Sequence, residues 1–489
     1  MQKRSSNLYP TVAVVGLGKI GLPLAVQYAE HGRRVIGCDI NPEVVESINA
    51  GLSHVEEPGL VPRVARLRGE GLLSATTHTA EAVRQAEVVV VIVPVAVDAG
   101  HKVNFEGIDA ATRAIGAGLQ QGTLVIYETT LPVGTTSGRL CSILEREANL
   151  WAGRDFYLAY SPERVSSGHI FNDLRNYPKV VGGIDESSAE VAVTFYRSVL
   201  KADIITLASA DEAEFVKLIE TTYRDVNIAL ANEFACFADA RGLDVAAAIT
   251  AANTQPYSHI HMPGVGVGGH CIPVYPYFLL AGVEPSHQEL LPTALPALSL
   301  PRSARRINDA MAEYAANRIE AVVGSLTGRS ALVLGVAYRG AVREAAFSSA
   351  RLLQDALLAR GATVYVDDPL FSESELQELG YVPLVPGCEN EVCAILLQAD
   401  HHAYQRFDFS RFTHCRVVLD GRRALRREQI EALGIHYVAI GDGVQTQPDW
   451  WEDDRQPAAV SASWNGGRQF GEGDAALRIA RNLADPNHR

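Results

Sequence analysis

Residues 11–39 read TVAVVGLGKIGLPLAVQYAEHGRRVIGCD, and this stretch decides the fold of the first part of the chain. An apolar run at Val12–Val15 leads into a glycine turn, then an amphipathic stretch as far as His31, then a second apolar run that ends at Asp39. Short apolar runs separated by a helical period are typical of parallel strands that are buried on both faces. The stretch therefore predicts a strand, a helix and a second strand parallel to the first.

The same alternation continues along the chain and then restarts. Further apolar runs at 88–93, 124–127 and 157–160 predict a first α/β domain over residues 1–205. From Ser330 the pattern begins again, with runs at 393–397, 417–419 and 437–440, and predicts a second α/β domain over residues 326–445. Both domains are expected to be Rossmann-like, doubly wound and built on parallel sheets.

A helical segment separates the two α/β domains. Residues 211–241 contain neither Pro nor Gly and keep a helical period, which predicts one long helix of ~45 Å. A Gly/Pro-rich loop at 262–276 and a helical pattern at 303–323 complete a helical middle domain over residues 206–325. Residues 446–489 lose periodicity and gain Pro, Gly, Ser and charge, so we predict a disordered tail.

Composition narrows the classes of protein to consider. A chain of 489 residues with 47% apolar content is expected to fold into several domains. It contains neither a membrane-length apolar run nor a signal-peptide pattern, so we expect a cytoplasmic protein without a membrane partner. The net charge of -14 argues against a nucleic-acid partner. Only six of the 43 basic residues are lysines, which makes each lysine a candidate for a specific role.

The glycine turn predicts a dinucleotide site. Gly16, Gly18 and Gly21, with Lys19 and Ile20 between them, lie where a strand passes into a helix. Glycine there lets the backbone approach a pyrophosphate, which then lies at the N-terminus of the helix. Because Asp39 follows the next strand, its carboxylate can accept hydrogen bonds from ribose hydroxyls and would repel a 2′-phosphate. We therefore predict NAD as the cofactor rather than NADP.

A second glycine-rich loop carries a thiol. Residues 262–276 read MPGVGVGGHCIPVYP, and the glycines would allow this backbone to approach a ligand while presenting Cys271. A nucleophilic cysteine needs exposure and a positive neighbour. Lys217, on the predicted long helix, is the candidate, and its ammonium would also stabilise an alkoxide or oxyanion.

The same loop also allows a different interpretation, a metal site made by Cys271 with His259, His261 and His270. These residues lie in an irregular loop and lack the paired, helix-borne ligands of typical zinc sites, so we expect no metal. The other six cysteines are scattered along the chain without CxxC spacing. They predict neither a disulfide framework nor a zinc site.

Several motifs together resemble one enzyme family. They are GLGKIGLPLA (16–25), ETTLPVGTT (128–136), SPERVSSG (161–168), KLIETTYRDVNIALANE (217–233), GVGVGGHCIP (264–273), ARRINDAM (304–311), GVAYRG (335–340) and VVLDGRR (417–423). In this order they resemble the nucleotide-sugar 6-dehydrogenases, the family of UDP-glucose, UDP-N-acetylmannosamine and GDP-mannose dehydrogenases. The resemblance covers about residues 10–445, and the wording SPER and GGHCIP is closest to the bacterial branch that acts on UDP-N-acetylhexosamines.

The resemblance implies roles for individual residues. Cys271 matches the catalytic cysteine, Lys217 the lysine that stabilises oxyanions, and Glu163 the glutamate that assists water in thioester hydrolysis. Thr130 matches the threonine that helps to position this water and borders the cofactor. The nucleotide sugar is expected to contact Glu163, Lys217 and a further set of residues: Arg164, Gly266, Gly268, Gly269, Tyr338, Arg339 and Arg422. The family also implies NAD in the first α/β domain, the nucleotide in the second, and a homodimer built on the long helix.

Two departures from the family pattern lie close to the expected chemistry. Relatives usually have Asn four residues after the helix lysine, where this chain has Thr221, which keeps a hydroxyl donor with a shorter reach. We therefore count Thr221 among the catalytic candidates. Many relatives also have Asp two residues after the Cys-x-Pro motif, where this chain has Tyr275.

Further departures lie in the second α/β domain. The family's Tyr-Lys pair is Tyr338-Arg339 here, and the expected Asp-x-Arg reads Glu344-Ala345-Ala346. A lysine replaced by arginine fits the lysine-poor composition, whereas loss of the arginine at Ala346 does not. These changes bear on the choice of sugar and nucleotide more than on the chemistry, because Cys271, Lys217 and Glu163 are all present.

The predicted reaction is a four-electron oxidation of a sugar C6 alcohol to a carboxylate, with two hydrides passing to NAD and a thiohemiacetal and thioester on Cys271. UDP- or dTDP-linked hexoses or N-acetylhexosamines are the expected substrates. One alternative is a two-electron dehydrogenase of the 6-phosphogluconate or 3-hydroxyacid type, which would need neither Cys271 nor a second α/β domain. The other is a nucleotide-binding protein without catalytic activity, as Thr221 and Ala346 would allow.

Overall fold

The first α/β domain is built on an eight-stranded sheet. A computed structural model describes residues 11–98, 100–165, 168–283 and 297–444 of the chain. In the described residues the strand order is β10-β9-β8-β7-β4-β1-β2-β3. These strands are β1 (Thr11–Val15), β2 (Arg34–Cys38), β3 (Leu73–Thr76), β4 (Val88–Val91), β7 (Leu124–Tyr127), β8 (Tyr157–Tyr160), β9 (Lys179–Gly183) and β10 (Ile204–Leu207). A short antiparallel hairpin joins β5 (Ala96–Val97) to β6 (Val103–Asn104).

Helices cover both faces of this sheet. The central strands are buried along their whole length, and their alternate side chains enter two separate hydrophobic cores, one on each face. This is the environment that continuous apolar strands require. The helices are α1 (Gly21–Glu30), α2 (Pro42–Asn49), α3 (Leu60–Gly69), α4 (Thr79–Val83), α5 (Glu106–Gly116), α6 (Cys141–Ala148), α7 (Ile170–Asn176) and α8 (Glu186–Val199), with a π-helical turn at Thr135–Leu140.

The predicted long helix is confirmed as α9 (Ala210–Arg241), 32 residues and therefore about 48 Å long. The Ser209 side chain caps its N-terminus by accepting a hydrogen bond from the Glu212 amide. Gly242 ends it in the left-handed conformation that favours glycine. The middle segment continues with α10 (Val245–Ala252), α11 (Tyr275–Ala281) and α12 (Ser299–Val323).

Helices α9 and α12 are joined by buried polar contacts as well as by apolar packing. The Arg305 guanidinium pairs with the Asp225 carboxylate at 2.5 Å, and both side chains are buried. Asn308 donates to the same carboxylate at 2.7 Å and accepts from Asn232 at 2.9 Å. Buried groups of this kind are costly unless they are paired, so these contacts fix the register of one helix against the other.

The second α/β domain has a five-stranded parallel sheet with strand order β12-β11-β13-β14-β15. Its elements are β11 (Ser330–Leu334), α13 (Ser349–Ala359), β12 (Thr363–Asp367), α14 (Glu373–Glu378), β13 (Val392–Leu397), β14 (Val417–Asp420), α15 (Arg427–Glu431) and β15 (His436–Ala439), with 3-10 turns at Glu389–Glu391, His402–Arg406 and Phe409–Arg411. The expected fold class, two Rossmann-like domains joined by a long helix and a helical middle domain, is confirmed.

Several details differ from the expectations. The first sheet is mixed and not wholly parallel, because β9 runs antiparallel to β8. Its last strand, β10, continues to Leu207, past the boundary expected at residue 205. Helix α12 begins at Ser299, four residues before the pattern predicted, because proline is tolerated in a first helical turn and Pro301 therefore does not interrupt it. The tail predicted over residues 446–489 lies outside the described residues.

Candidate active site

The glycine turn has the geometry that a pyrophosphate site requires. Gly16 has φ +93°, and a Cβ there would lie 2.7 Å from the Ile92 carbonyl oxygen. Gly21 begins α1, and a Cβ there would lie 1.9 Å from the Gly16 carbonyl oxygen. A Cβ on Gly18 would meet no atom within 4 Å, so its backbone faces open space. Gly16 and Gly21 are therefore needed by the turn itself, whereas Gly18 leaves room for a ligand.

Lys19 and Ile20 differ in what they contact. Ile20 precedes α1 and packs against the core on one face of the first sheet. Lys19 forms an ion pair with Glu344 of the second α/β domain, and the His270 ring lies 3.2 Å from the same carboxylate. Although burial opposes the effect of its partners, a hydrogen bond from His270, the largest influence, and one from Lys19 lower the pKa of Glu344 to about 2. The glycine turn and the cysteine loop thus share one acidic partner.

Asp39 follows β2, as predicted, at the carboxyl end of the strand. Its carboxylate accepts hydrogen bonds from the backbone N–H of Leu17 at 2.9 Å and of Asn41 at 3.0 Å. The side chain is partly exposed, so it keeps acceptor positions for a ribose. With the open backbone at Gly18, this fits the adenosine half of NAD.

The glycines of the cysteine loop have a structural reason that the sequence analysis did not anticipate. A Cβ on Gly266 would lie 2.7 Å from the Ser349 side chain, and one on Gly268 would lie 2.7 Å from the Tyr338 side chain. Gly269 has φ +99° and packs against the same tyrosine ring. The loop therefore uses its glycines to approach the second α/β domain closely, and Ser349 and Tyr338 occupy the side on which a Cβ would lie.

Cys271 lies just before α11 and is partly exposed. Its backbone carbonyl accepts from the Tyr275 N–H at 2.9 Å, in the turn that leads into α11. Tyr275 packs against the core of the first α/β domain beside Thr130 and the Cys271 thiol, and burial raises the pKa of its phenol well above its ordinary value. One tyrosine thus links the cysteine loop to the Glu-Thr-Thr turn after β7.

Lys217 and Thr221 lie one turn apart on α9. The Lys217 ammonium donates to the backbone carbonyl of Glu163 at 2.7 Å. The Thr221 hydroxyl donates to the Lys217 carbonyl at 2.8 Å, inside its own helix. We had expected Thr221 to offer a hydroxyl proton to the site, and in this structure that proton is already engaged.

The Glu163 carboxylate lies in a buried network that the sequence analysis missed. It accepts from the Lys179 ammonium at 2.8 Å, and the same ammonium donates to Glu128 at 2.8 Å. Glu128 also accepts from the hydroxyls of Tyr196 at 2.5 Å and Tyr28 at 3.1 Å. The scarcity of lysine was the signal that could have identified Lys179, one of six in the chain.

The expected substrate-binding arginines are partly engaged by the protein. Arg164 pairs with Glu220 of α9 at 2.6 Å. Arg422 donates to the backbone carbonyls of Gln398 at 2.5 Å and Tyr338 at 3.3 Å, so it braces two loops of the second domain. Arg339 is exposed, and its Nε donates to the Tyr338 hydroxyl at 3.1 Å. Of these guanidinium groups, that of Arg339 is the most accessible to a phosphate.

The alternative of a metal site finds no support in the geometry. Across residues 11–98, 100–165, 168–283 and 297–444, no group of three His, Cys, Asp or Glu side chains is placed to hold a metal ion. Within the same residues, no helix is both long enough and apolar enough to cross a membrane.

Comparison with known proteins identifies the family. Models of the UDP-glucose/GDP-mannose dehydrogenase family match the chain in three consecutive parts: the NAD binding domain over residues 10–200, the central domain over 211–309 and the UDP binding domain over 332–427. The chain belongs to the UDP-glucose/GDP-mannose dehydrogenase family. It is an NAD-dependent nucleotide-sugar dehydrogenase, as the motifs predicted.

Two similar members of this family carry an N-acetylated sugar in their names. UDP-N-acetyl-D-mannosamine dehydrogenase of Pyrococcus horikoshii is 35% identical over 441 residues, which are 88% of this chain and 99% of that protein. Its solved structure superposes with a TM-score of 0.77. NDP-N-acetyl-D-galactosaminuronic acid dehydrogenase of Ralstonia nicotianae is 31% identical over 433 residues, which are 87% of this chain and 98% of that protein. Family membership confirms NAD as the cofactor and a nucleotide sugar as the substrate class.

Proposed function

We propose that this dehydrogenase oxidises the C6 primary alcohol of a UDP- or dTDP-linked hexose or N-acetylhexosamine to the carboxylate, with Cys271 as the covalent nucleophile. The names of the similar proteins favour a UDP-N-acetylhexosamine within this class. The observation that carries the proposal is the position of Tyr275, which lies beside both Cys271 and Thr130 and packs against the core of the first α/β domain. It supports a site in which the thiol faces the NAD binding domain.

The chemistry requires the protein to stabilise oxygen anions and to hold an aldehyde. NAD, bound at the glycine turn and Asp39, would accept the hydride lost in each of the two oxidations. Lys217 would stabilise the oxygen at C6 as its proton leaves, because an ammonium strengthens its interaction as negative charge develops. The Cys271 sulfur would then add to the aldehyde carbon, and the resulting thiohemiacetal would be oxidised to a thioester.

Hydrolysis of the thioester completes the reaction. A water oxygen would bond to the thioester carbon, its proton would pass to the Glu163 carboxylate, and the carbon–sulfur bond would break with its electron pair returning to Cys271. Thr130 would help to place that water. Covalent capture explains why a four-electron dehydrogenase needs a thiol, since the aldehyde is oxidised without being released.

Replacement of Cys271 tests the proposal. The enzyme should yield two NADH for each sugar acid, and Cys271→Ala should abolish acid formation while leaving the dissociation constants of NAD and nucleotide sugar within about threefold of wild type. Cys271→Ser should form an oxygen ester that hydrolyses slowly, and intact mass spectrometry would detect this adduct. Cys388→Ala, at another partly exposed cysteine, is the matched control. Acid production by Cys271→Ala, or one NADH per substrate, would instead favour the two-electron alternative.

We also propose that the enzyme is a homodimer built on α9. Six large apolar side chains along this helix are 40% to 60% exposed in the single chain: Phe215, Ile219, Tyr223, Leu230, Phe234 and Phe237. A stripe of this length is unusual on a monomer, and a second copy of the same helix would bury it. Light scattering should give about twice the chain mass of 52.8 kDa. Phe234→Glu should shift the protein toward the monomer, and a monomeric wild type would contradict the proposal.

A further inference from the structure

Three charged side chains in the first α/β domain, those of Glu163, Lys179 and Glu128, form a buried network. Glu163 in this network is the candidate base. Lys179, the first residue of β9, lies between Glu163 and Glu128, with its ammonium 2.8 Å from a carboxylate oxygen of each. All three side chains are at most 10% exposed. An isolated charge at such a depth would be strongly disfavoured, so the arrangement exists only because opposite charges and hydrogen bonds compensate one another.

Two tyrosines hold Glu128 at one end of this network. The hydroxyls of Tyr196 and Tyr28 donate to Glu128 from helices α8 and α1. The Lys179 ammonium also lies 5.1 Å from the centre of the Tyr196 ring, within range of a cation–π contact. Lys179 is thus held from several sides and has little freedom to leave Glu163.

Glu163, at the other end of this network, is held through both its backbone and its carboxylate. Its second carboxylate oxygen accepts from the backbone N–H of Arg164 at 2.7 Å and of Val165 at 3.2 Å. Its backbone carbonyl accepts from Lys217. The candidate base and the candidate oxyanion stabiliser therefore share one residue, and a movement of Glu163 would disturb both.

The pKa values of the two carboxyl groups beside Lys179 are shifted in opposite directions. Burial raises the pKa of the Glu128 carboxyl above its ordinary value. Burial would do the same to Glu163, but the Lys179 ammonium outweighs it and holds the pKa of Glu163 below its ordinary value. Burial opposes the charge on Lys179 as well, and the two carboxyl groups outweigh it and raise the pKa of the ammonium. The Lys179 cation therefore favours the ionised form of Glu163.

We propose that Lys179 is a positioning residue for the hydrolytic half of the reaction: it keeps the Glu163 carboxylate ionised and in place to accept the proton of the attacking water, while Glu128 retains Lys179. This inference rests on the proposed role of Glu163 in thioester hydrolysis. Lys179 itself contacts neither the thiol nor the sugar in this scheme. The charged and titratable groups that face Glu163 or its partners in this network are Lys179, Glu128, Lys217, Tyr28 and Tyr196.

A pair of variants separates the charge of Lys179 from its hydrogen bonds. Lys179→Gln keeps two N–H donors but removes the charge, so Glu163 becomes a buried carboxyl without a cation and its pKa should rise. The acid limb of the kcat profile should then move to higher pH by at least about one unit. Intact mass spectrometry should show the thioester adduct accumulating at neutral pH, after a normal burst of two NADH. Lys179→Arg keeps the charge and should restore the wild-type profile.

Controls and a second route keep the test decisive. Lys201→Gln, at an exposed lysine outside the network, should behave as wild type. Glu128→Gln keeps an oxygen that can accept from the Lys179 ammonium and leaves the cation beside Glu163, so it should not move the acid limb to higher pH, and this result does not depend on any Lys179 variant folding. A shift of the acid limb to higher pH by one unit or more in Glu128→Gln, or an unshifted profile without adduct in Lys179→Gln, would overturn the inference. Failure of wild type to make acid would instead overturn the proposed function.

Discussion

The two α/β domains share a glycine turn after their first strand, but the two turns differ in what can approach them. Each begins with a strand followed by a glycine in the left-handed region, Gly16 in the first domain and Gly335 in the second, both with φ +93°. Two residues further on, the domains diverge. The backbone of Gly18 faces open space, whereas the corresponding Ala337 is completely buried. A dinucleotide phosphate can approach the first turn, and protein atoms fill the second.

The acidic residues after the second strand of each domain diverge in the same way. Asp39 accepts two backbone hydrogen bonds and is partly exposed. Asp368 accepts from the amides of Val336 at 2.8 Å, Ala337 at 2.9 Å and Leu370 at 2.9 Å, and lies 3.2 Å from the His401 ring, with no exposed side-chain surface. The first carboxylate can bind a ribose, and the second has become part of the core.

This difference shows that the fold supplies the position of a site while individual residues decide what the site binds. An open glycine and a partly exposed carboxylate distinguish the first domain, whose family match is to an NAD binding domain. The second domain keeps the fold, and the family match over this part is to a UDP binding domain. Its turn at Ala337 and its acid at Asp368 are both buried, so it lacks the open backbone and the accessible carboxylate of the first domain.

The largest expected effect comes from closing the open glycine of the first domain. Gly18→Val should fold normally, because no atom lies within 4 Å of a Cβ at this position. The new side chain would occupy the space of the pyrophosphate, so calorimetry should show the NAD dissociation constant rising by about 100-fold or more, some 2.7 kcal/mol.

The matched variant in the second domain should behave in the opposite way. Ala337→Val adds two methyl groups to a fully buried position and should lower the unfolding free energy by about 1–3 kcal/mol. NAD affinity should stay at the wild-type value, because the second turn does not contact the cofactor in our account. Wild-type NAD affinity in Gly18→Val, or weakened NAD binding in Ala337→Val, would contradict the comparison.

Much of the fold could be predicted from sequence, because strands, turns and helices depend on local patterns. The strand-turn-helix at residues 11–39 and the long helix were predicted with bounds close to those observed. The antiparallel β9 was not, since a strand's direction depends on which strand it pairs with. Strand periodicity is the same in both directions.

The site was predicted in its composition but not in its contacts. Cys271, Lys217 and Glu163 carry recognisable motifs, so their identity could be inferred without a structure. Lys179 could not be connected with Glu163, because their pairing is created by the connection through α7 that brings β9 beside β8. The glycines of the cysteine loop were interpreted as space for a ligand, since sequence does not show which domain packs against them.

A smaller effect is expected when the two carboxylates are exchanged for amides, and it separates cofactor selection from core stability. Asp39→Asn removes the negative charge that would face a 2′-phosphate but keeps one acceptor for ribose. The ratio of kcat/KM with NAD to that with NADP should therefore fall by about tenfold, corresponding to ~1.4 kcal/mol. Stability should change little, because water can reach this partly exposed side chain and replace a lost hydrogen bond.

Asp368→Asn is the matched change in the second domain, and it should leave the cofactor ratio unaltered. It turns an amide toward backbone N–H donors in a buried site, which should lower the unfolding free energy by about 1–3 kcal/mol in urea titrations. Burial alone would raise the pKa of Asp368, but the hydrogen bonds from His401 and the backbone outweigh it and lower the pKa. The folded-state pKa thus lies below the unfolded value of about 3.9, so the carboxylate stabilises the fold above that pH. The stability difference between wild type and Asp368→Asn should therefore shrink as the pH falls below about 4. If Asp368→Asn altered the cofactor ratio, or Asp39→Asn left it unchanged, the assignment of the two acids to different tasks would be wrong.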